Sequence, residues 1–281
     1  MRTQSSDTTP EAEQMLISLI RKAPITKRFE LVNSLSSFAA KLNKQNIREQ
    51  HPDATNQQVA EYFVSDHYDR ALAKGLHSAL QGKEVSLSDT LDIVDAITSI
   101  ATVFEQLDIS YCITGTIANS IYGMQRAAFD VDFTTDLSLE NVPLFLSLLT
   151  PTYYFDETSV RDAVVQQTFF EGLQLSTMLK IHVSPRSTDN PFMVKVYQRV
   201  QFHALVKEGK IFRIASPEDT ILTQLMVYKA NGEVADDCWN EMLGVLKVQK
   251  EVLDIAYLRQ WAVSLDVRLL LERAFEDAGI D

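Results

Sequence analysis

Asp130 and Asp132 stand one residue apart in FDVDF, with thirteen residues between the pair Gly115-Thr116 and Asp130. Period-two alternation puts both carboxylates on one face of a strand and Phe129, Val131 and Phe133 on the other. Side-by-side carboxylates repel, so they persist cheaply only when solvated, sharing a proton, or neutralised by a divalent cation. Magnesium suits them, because it takes one or two carboxylates together with phosphate oxygens and water. Upstream, Gly115 closes a predicted strand and Thr116 can start a helix. Glycine there lets a phosphate approach the backbone, while the hydroxyl and the amides of the helix N-terminus donate to it. Strand, turn, short helix and second strand should bring the turn and the aspartates to the same end of a sheet, an arrangement for in-line attack on the α-phosphorus of a nucleoside triphosphate. The competing reading is plain: Gly-Thr at a strand end is common, and D-x-D on an edge strand is usually solvated charge.

The elements that would position these residues follow from hydrophobic spacing. EAEQMLISLIRK repeats Met15, Leu16, Leu19 and Ile20 at helical intervals before Pro24 breaks the pattern. A second helix from about Thr26 carries Phe29, Val32, Leu35, Phe38, Ala39 and Leu42. Thr55 can cap a third, over 56–76, with Val59, Phe63, His67 and Leu72. The polar QGKEVSLSD at 81–89 marks a boundary. Beyond it the chain alternates: a helix with Leu91, Val94, Ile97, Ile100, Ala101 and Phe104, strand 111–115, helix 117–123, strand FDVDF, helix LENVPLFLSLL, one or two strands in QTFFEGLQLSTMLKIHVS, and a hairpin from QFHALV and KIFRIA around Lys207–Lys210. From Pro217 onward it is helical. The segments are therefore 1–84, a helical unit; 88–215, an α+β core with a small mixed sheet flanked by helices; and 216–281, a C-terminal helical region.

The chain has 281 residues, 46% of them hydrophobic, and a net charge of −12. Residues 1–84 hold 11 Lys and Arg against 10 Asp and Glu, and the rest hold 15 against 28, which disfavours nonspecific nucleic-acid binding by the C-terminal part. A local basic groove remains compatible with that total. No apolar run reaches the roughly 18 residues of a membrane span, and the polar N-terminus has no apolar stretch behind it. Two cysteines, Cys112 and Cys238, are too few for a disulfide framework. A cytoplasmic protein is expected. His51, His67, His77 and His203 form no pair at metal-ligand spacing.

Gly115-Thr116 followed by Asp130-x-Asp132 resembles the signature of the DNA polymerase β-like nucleotidyltransferase superfamily, in which a Gly-Ser or Gly-Gly pair precedes Asp-x-Asp or Asp-x-Glu. The stretch YCITGTIANSIYGMQRAAFDVDF resembles stand-alone bacterial members, including nucleotidyltransferase toxins of abortive-infection type. So do SPEDTILTQLMVYK, VADDCWNEMLGVL and LDIAYLRQWA, so that the similarity covers about residues 90–275. HPDATNQQVAEYFVSDHYDRALA is similar to a helical segment found ahead of such domains. The resemblance implies a nucleotidyltransferase fold and transfer of a nucleoside monophosphate from an NTP, such as ATP, to a hydroxyl on RNA, tRNA among the candidates, or on protein. Pyrophosphate would be released. It implies Mg²⁺, with Mn²⁺ possible, on Asp130 and Asp132, and phosphate on Gly115 and Thr116. It also implies a toxin-antitoxin or defence setting, in which the N-terminal helices could meet a protein partner.

The family supplies a third carboxylate from a later block ending Lys-x-Asp, and here that block is MLKIHV. His182 stands where the aspartate is expected. Three readings compete for it: an altered but working base, the mark of a module that binds nucleotide or a partner without turnover, or an ordinary strand histidine. Lys180, on the same face, could pair with phosphates or be a surface lysine. Arg126, on the loop before the aspartates, could hold triphosphate or be a solvated loop arginine. Gln224 sits where the family often has lysine, and Lys229 is retained. Trp239 and Trp261 are expected in the core.

Overall fold

Capping side chains mark several helix starts. Thr9 accepts from Ala12 N at the head of α1 (Pro10–Lys22), and α2 spans Ile25–Gln50. Thr55 and Gln58 close a reciprocal capping box on α3 (Asn56–His67), and α4 is Arg70–Leu80. The third helix expected over 56–76 is thus two helices. The break falls at Tyr68, whose hydroxyl turns away to the carbonyls of Phe129, at 2.7 Å, and Met178, at 3.0 Å. After these come α5 (Ile93–Gln106), β1 (Tyr111–Thr114), α6 (Gly115–Tyr122), β2 (Asp130–Thr135) and α7 (Val142–Leu149). Next are β3 (Tyr153–Phe155), α8 (Glu157–Gln166), β4 (Phe170–Gln174), β5 (Lys180–Pro185) and α9 (Pro191–Gln198). The chain ends with β6 (Gln201–Ala204), β7 (Ile211–Ile214), α10 (Pro217–Ala230), α11 (Asp236–Gln249), α12 (Ile255–Ser264) and α13 (Arg268–Ala278). Elements β3, α8 and α9 have no counterpart in the hydrophobic patterns described above.

The computed structural model describes every residue except Met1, Ser5, Ser6, Asp69, Ser187, Thr188, Ala235 and Asp281. Asp69 and Ala235 belong to two of the resembling blocks and lie outside the described residues. The strands pair both parallel and antiparallel and are flanked by helices, the α+β arrangement expected. Among the described residues no helix is long and apolar enough to cross a membrane.

The chain forms two compact units, one of Val32–Cys112 and Ala127–Met193, the other of Met1–Leu31, Ile113–Arg126 and Val194–Asp281. They do not follow the three segments read along the sequence, because the chain passes from one unit to the other inside α2, β1 and α9.

In the first unit the strand order is β3-β4-β5-β2. β2 and β5 are parallel, and β4 runs antiparallel to both β5 and β3. Phe104, Phe133, Phe145 and Phe170 are buried, with the Phe104 and Phe145 rings stacked 5.5 Å apart. α2 turns an unexpected face inward. Val32, Ser36, Ala40, Lys44 and Ile47 are buried, whereas Leu35, Phe38 and Leu42 are exposed. Two polar side chains decide this. Ser36 Oγ accepts from Ala128 N at 2.8 Å and donates to Val32 O. Lys44 Nζ donates to Ser88 O at 2.7 Å and Thr177 O at 2.8 Å and lies 4.9 Å from the Phe63 ring centroid. Carbonyls that helix packing would otherwise orphan are satisfied from within α2.

In the second unit the order is β1-β7-β6, with Ile113 in parallel register with Ile214 and β6 antiparallel to β7. α11 packs against α1, α6, α10 and α13. α1 repeats the pattern of α2: Glu13, Ile17 and Ile20 are buried while Met15, Leu16 and Leu19 are exposed. Glu13 meets the equally buried Lys247 at 3.0 Å. Such a pair is costly to break from one side, since the remaining charge stays buried alone. Trp239 is buried and donates from Nε1 to Asp277, while Trp261 is only half-buried.

Burial pushes the Lys44 ammonium down to about 8 from its ordinary 10.5. Between those values the unfolded chain keeps a proton that the folded chain has lost, so stability should rise with pH across that window. Urea unfolding of the wild type at pH 8 and at pH 10 should show a gain of about 2 kcal/mol that Lys44→Met lacks. Equal pH responses in the two proteins would contradict the burial argument.

Candidate functional site

In the first unit, β2 and β5 align Asp130 with Lys180 and Asp132 with His182, and β4 on the other side of β5 places Glu171 opposite His182. Partners in register share a face of the sheet. Asp132, His182 and Glu171 therefore form a row across three strands, with Asp130 and Lys180 in the neighbouring row. The alternate residues Val131, Phe133, Ile181 and Val183 are wholly buried beneath the opposite face, which fixes the direction of the polar ones.

The Lys180 ammonium lies 3.0 Å from Glu171 Oε1 and 3.7 Å from Asp130 Oδ2. It also sits 5.2 Å from the centroid of the Tyr68 ring. His182 is held on three sides. Its Nδ1 is 3.5 Å from Glu171 Oε1, its Nε2 is 3.4 Å from Ser184 Oγ, and the Phe169 ring stacks on the imidazole at 4.7 Å. Lys180 is thus no loose surface lysine and His182 no isolated strand histidine.

The electrostatics follow from three carboxylates sharing one ammonium. Burial, then the neighbouring Asp132 charge, push Asp130 up to about 6, against the opposing pull of Lys180 and His182. Glu171 moves the other way, down to about 2, first through its contact with His182 and then through Lys180, with burial opposing both. Burial works against the Lys180 charge, but Asp130 and Glu171 outweigh it and raise its pKa. Two carboxylates on the strands either side of β5 thus have opposite tendencies, one toward accepting a proton and one firmly ionised. Divergence of this kind occurs in structural ion-pair networks as well as in sites that transfer protons.

Sequence reasoning did not single out Glu171. Its position opposite His182 depends on the turn at 175–178, whose register no glycine or proline announces.

The other candidates belong to the second unit. Gly115 is the first residue of α6 and has φ +58, a left-handed conformation natural to glycine. Thr114, at the cap position, makes no side-chain hydrogen bond to the helix. Thr116 follows within the first turn. The Arg126 guanidinium is partly exposed and paired with Glu241 at 3.1 Å and Asp237 at 3.3 Å. Glu241 also accepts from Asn119 Nδ2 at 2.9 Å and Gln224 Nε2 at 3.4 Å. Lys229 is bound to Asp266 at 2.6 Å. Cys238 is half-buried, and burial followed by Glu241 pushes its thiol up to about 11, which makes it a poor nucleophile.

Among the described residues no three of histidine, cysteine, aspartate and glutamate are grouped to hold a metal ion. Asp130 and Asp132 still provide hard oxygen donors of the kind magnesium takes in ones and twos, the rest of its shell coming from phosphate and water. Burial, then the neighbouring Asp132 charge, raise the Asp130 pKa, and a divalent cation would oppose both effects.

No family model matches the sequence, and no curated protein matches it. Among solved structures, the chain is similar to the antibiotic-resistance factor ANT(2'')-Ia, at 13% identity and a TM-score of 0.36 over 65% of this chain and 92% of that one. It is also similar to an antigenic nucleotidyltransferase-like protein from Paracoccidioides brasiliensis, at 14% identity and a TM-score of 0.39 over 65% of this chain and 91% of that one.

A carboxylate whose folded pKa is raised favours the fold below its ordinary value near 4, and that contribution is lost as pH rises through about 6. Asp130→Asn removes the titrating charge at nearly constant shape. The variant should melt higher than the wild type at pH 8, and the advantage should disappear at pH 4. Thermal unfolding at the two pH values measures this, and a lower melting temperature at pH 8 would show that Asp130 is fully neutralised by its neighbours.

Proposed function

We propose that this chain is a metal-dependent nucleotidyltransferase that moves a nucleoside monophosphate from an NTP to a hydroxyl on RNA, tRNA among the candidates, or on protein, with release of pyrophosphate. One observation carries the reading: Asp130 and Asp132 stand in register with Lys180 and His182, so carboxylates, an ammonium and an imidazole share one face of rigid strands. Asp130 and Asp132 would hold Mg²⁺ or Mn²⁺, which when bound supplies charge neutralisation and Lewis-acid polarisation of phosphoryl oxygens. Lys180 would give its ammonium to a phosphate oxygen. Gly115 and Thr116 would bind phosphate through backbone amides and a hydroxyl at the head of α6. Arg126 could do so only by exchanging Glu241 and Asp237 for the nucleotide. His182 would accept the proton of the attacking hydroxyl, whose oxygen bonds to the α-phosphorus as the bond to pyrophosphate breaks.

A second reading has its own support. Lys180 already stands between Asp130 and Glu171, so the carboxylates are partly neutralised by the chain itself. That suits a module which binds a nucleotide or a protein partner, of toxin-antitoxin or defence type, with little turnover.

Incubation with each α-labelled NTP, Mg²⁺ or Mn²⁺, and a tRNA pool or lysate separates the two. Transfer of label by the wild type, reduced on the order of 100-fold or more in Asp130→Asn and Asp132→Asn, is the expected result. Retained NTP binding with no transfer under any combination would select the second reading.

A further inference from the structure

Glu171 is absent from the sequence motif, yet it stands directly opposite the position where the motif lacks a carboxylate. It lies directly across from His182 in the β4–β5 register, one strand further from Asp132. Its Oε1 is 3.5 Å from His182 Nδ1 and 3.0 Å from Lys180 Nζ, and both it and His182 are mostly shielded from water, at 18% and 24% side-chain exposure. Phe169 covers one face of the imidazole, so the ring cannot turn freely. A carboxylate on one ring nitrogen selects the tautomer in which that nitrogen carries the proton, leaving the other as an acceptor. Here the acceptor is Nε2, whose neighbour is the Ser184 hydroxyl at 3.4 Å. A hydroxyl can donate to that lone pair and be replaced there by another hydroxyl.

We infer that Glu171 is a positioning residue that locks His182 in the Nδ1–H tautomer, so that Nε2 receives the proton of the acceptor hydroxyl. The charge of the missing third carboxylate is thereby retained one strand away and acts through the imidazole. This rests on the nucleotidyl-transfer reading for its chemistry, but not for the tautomer itself. In the step, the hydroxyl proton passes to Nε2, the hydroxyl oxygen forms its bond to the α-phosphorus, and pyrophosphate leaves with the electron pair of the broken bond. Glu171 remains ionised and stabilises the imidazolium, in keeping with a pKa held down mainly by His182. Lys180 keeps Glu171 in place, with Asp130 as its second partner.

Two measurements test the inference. Long-range ¹H–¹⁵N correlation of the histidine rings at pH 8, with His182 assigned from its loss in His182→Ala, should show Nδ1–H in the wild type. Glu171→Leu should shift His182 toward the Nε2–H form that free imidazoles prefer, and Glu171→Gln, whose carbonyl can still accept, should restore Nδ1–H. An Nε2–H wild type, or a tautomer indifferent to Glu171→Leu, would overturn the inference whatever the activity. In label transfer, Glu171→Leu and His182→Ala should each lower kcat by on the order of 100-fold with little change in KM, and the double variant should be no worse than either alone. Multiplying effects would show that Glu171 acts independently of His182 and would also overturn it. Absence of transfer by the wild type would refute the reaction while the ring spectra still decide the contact. Backbone amide spectra establish whether each variant is folded, and Glu171→Gln keeps the test available if Glu171→Leu is not.

Discussion

Asp130 and Asp132 place two negative charges on one face of a half-buried strand, and their repulsion has to be answered by whatever lies beside β2. The answer comes from β5. Lys180 opposite Asp130 supplies an ammonium, and His182 opposite Asp132 supplies an imidazole. Because side chains alternate across a strand, a slip of one residue would turn Lys180 and His182 into the core and bring Ile181 and Val183 out against the carboxylates. Tyr68 bears directly on that register. Its hydroxyl proton is shared between the carbonyl of Phe129, immediately before β2, and that of Met178, two residues before β5. Lys180 N donates to the same Phe129 carbonyl at 3.2 Å. One side chain from the end of α3 therefore ties together the entrances of both strands.

This gives the helices of residues 32–80 a concrete part in the site. Lys44 holds the carbonyl of Thr177 and Tyr68 that of Met178, so two side chains from separate helices fix the turn joining β4 to β5. The turn in turn sets Glu171 against His182. Ser36 does the same for the segment leading into β2, through Ala128 N. These buried polar groups stabilise the structure less by their net energy than by the cost of leaving their partners unsatisfied.

Much of the fold was legible in the sequence. The capping residue Thr55, the alternation in FDVDF and the sequence of elements from α5 through β2 all emerge from local patterns. The buried faces of α1 and α2 did not. Pattern reading assigns Leu16, Leu19, Phe38 and Leu42 to the interior, but Glu13, Ser36 and Lys44 are buried instead, because distant groups on α11 and on the loops around Ser88 and Thr177 need them. The small elements β3, α8 and α9 escaped because each is short and none carries a strong period.

At the candidate site the sequence by itself determined the chemistry available on β2 and β5: Asp130 and Asp132 share a face, as do Lys180 and His182, because strand alternation is a local rule. The left-handed φ of +58 at Gly115 was added by the structure, glycine being the type that permits it. Tertiary structure alone decided which charges meet. The pairing of β5 with β2 and β4 is nonlocal, and the β4–β5 turn closes through Met178 at φ +62, a position where glycine or asparagine would have signalled the register and methionine does not. So Glu171 stayed invisible until the strands were paired, and the carboxylate missing from the motif proves to have a neighbour supplied from the next strand.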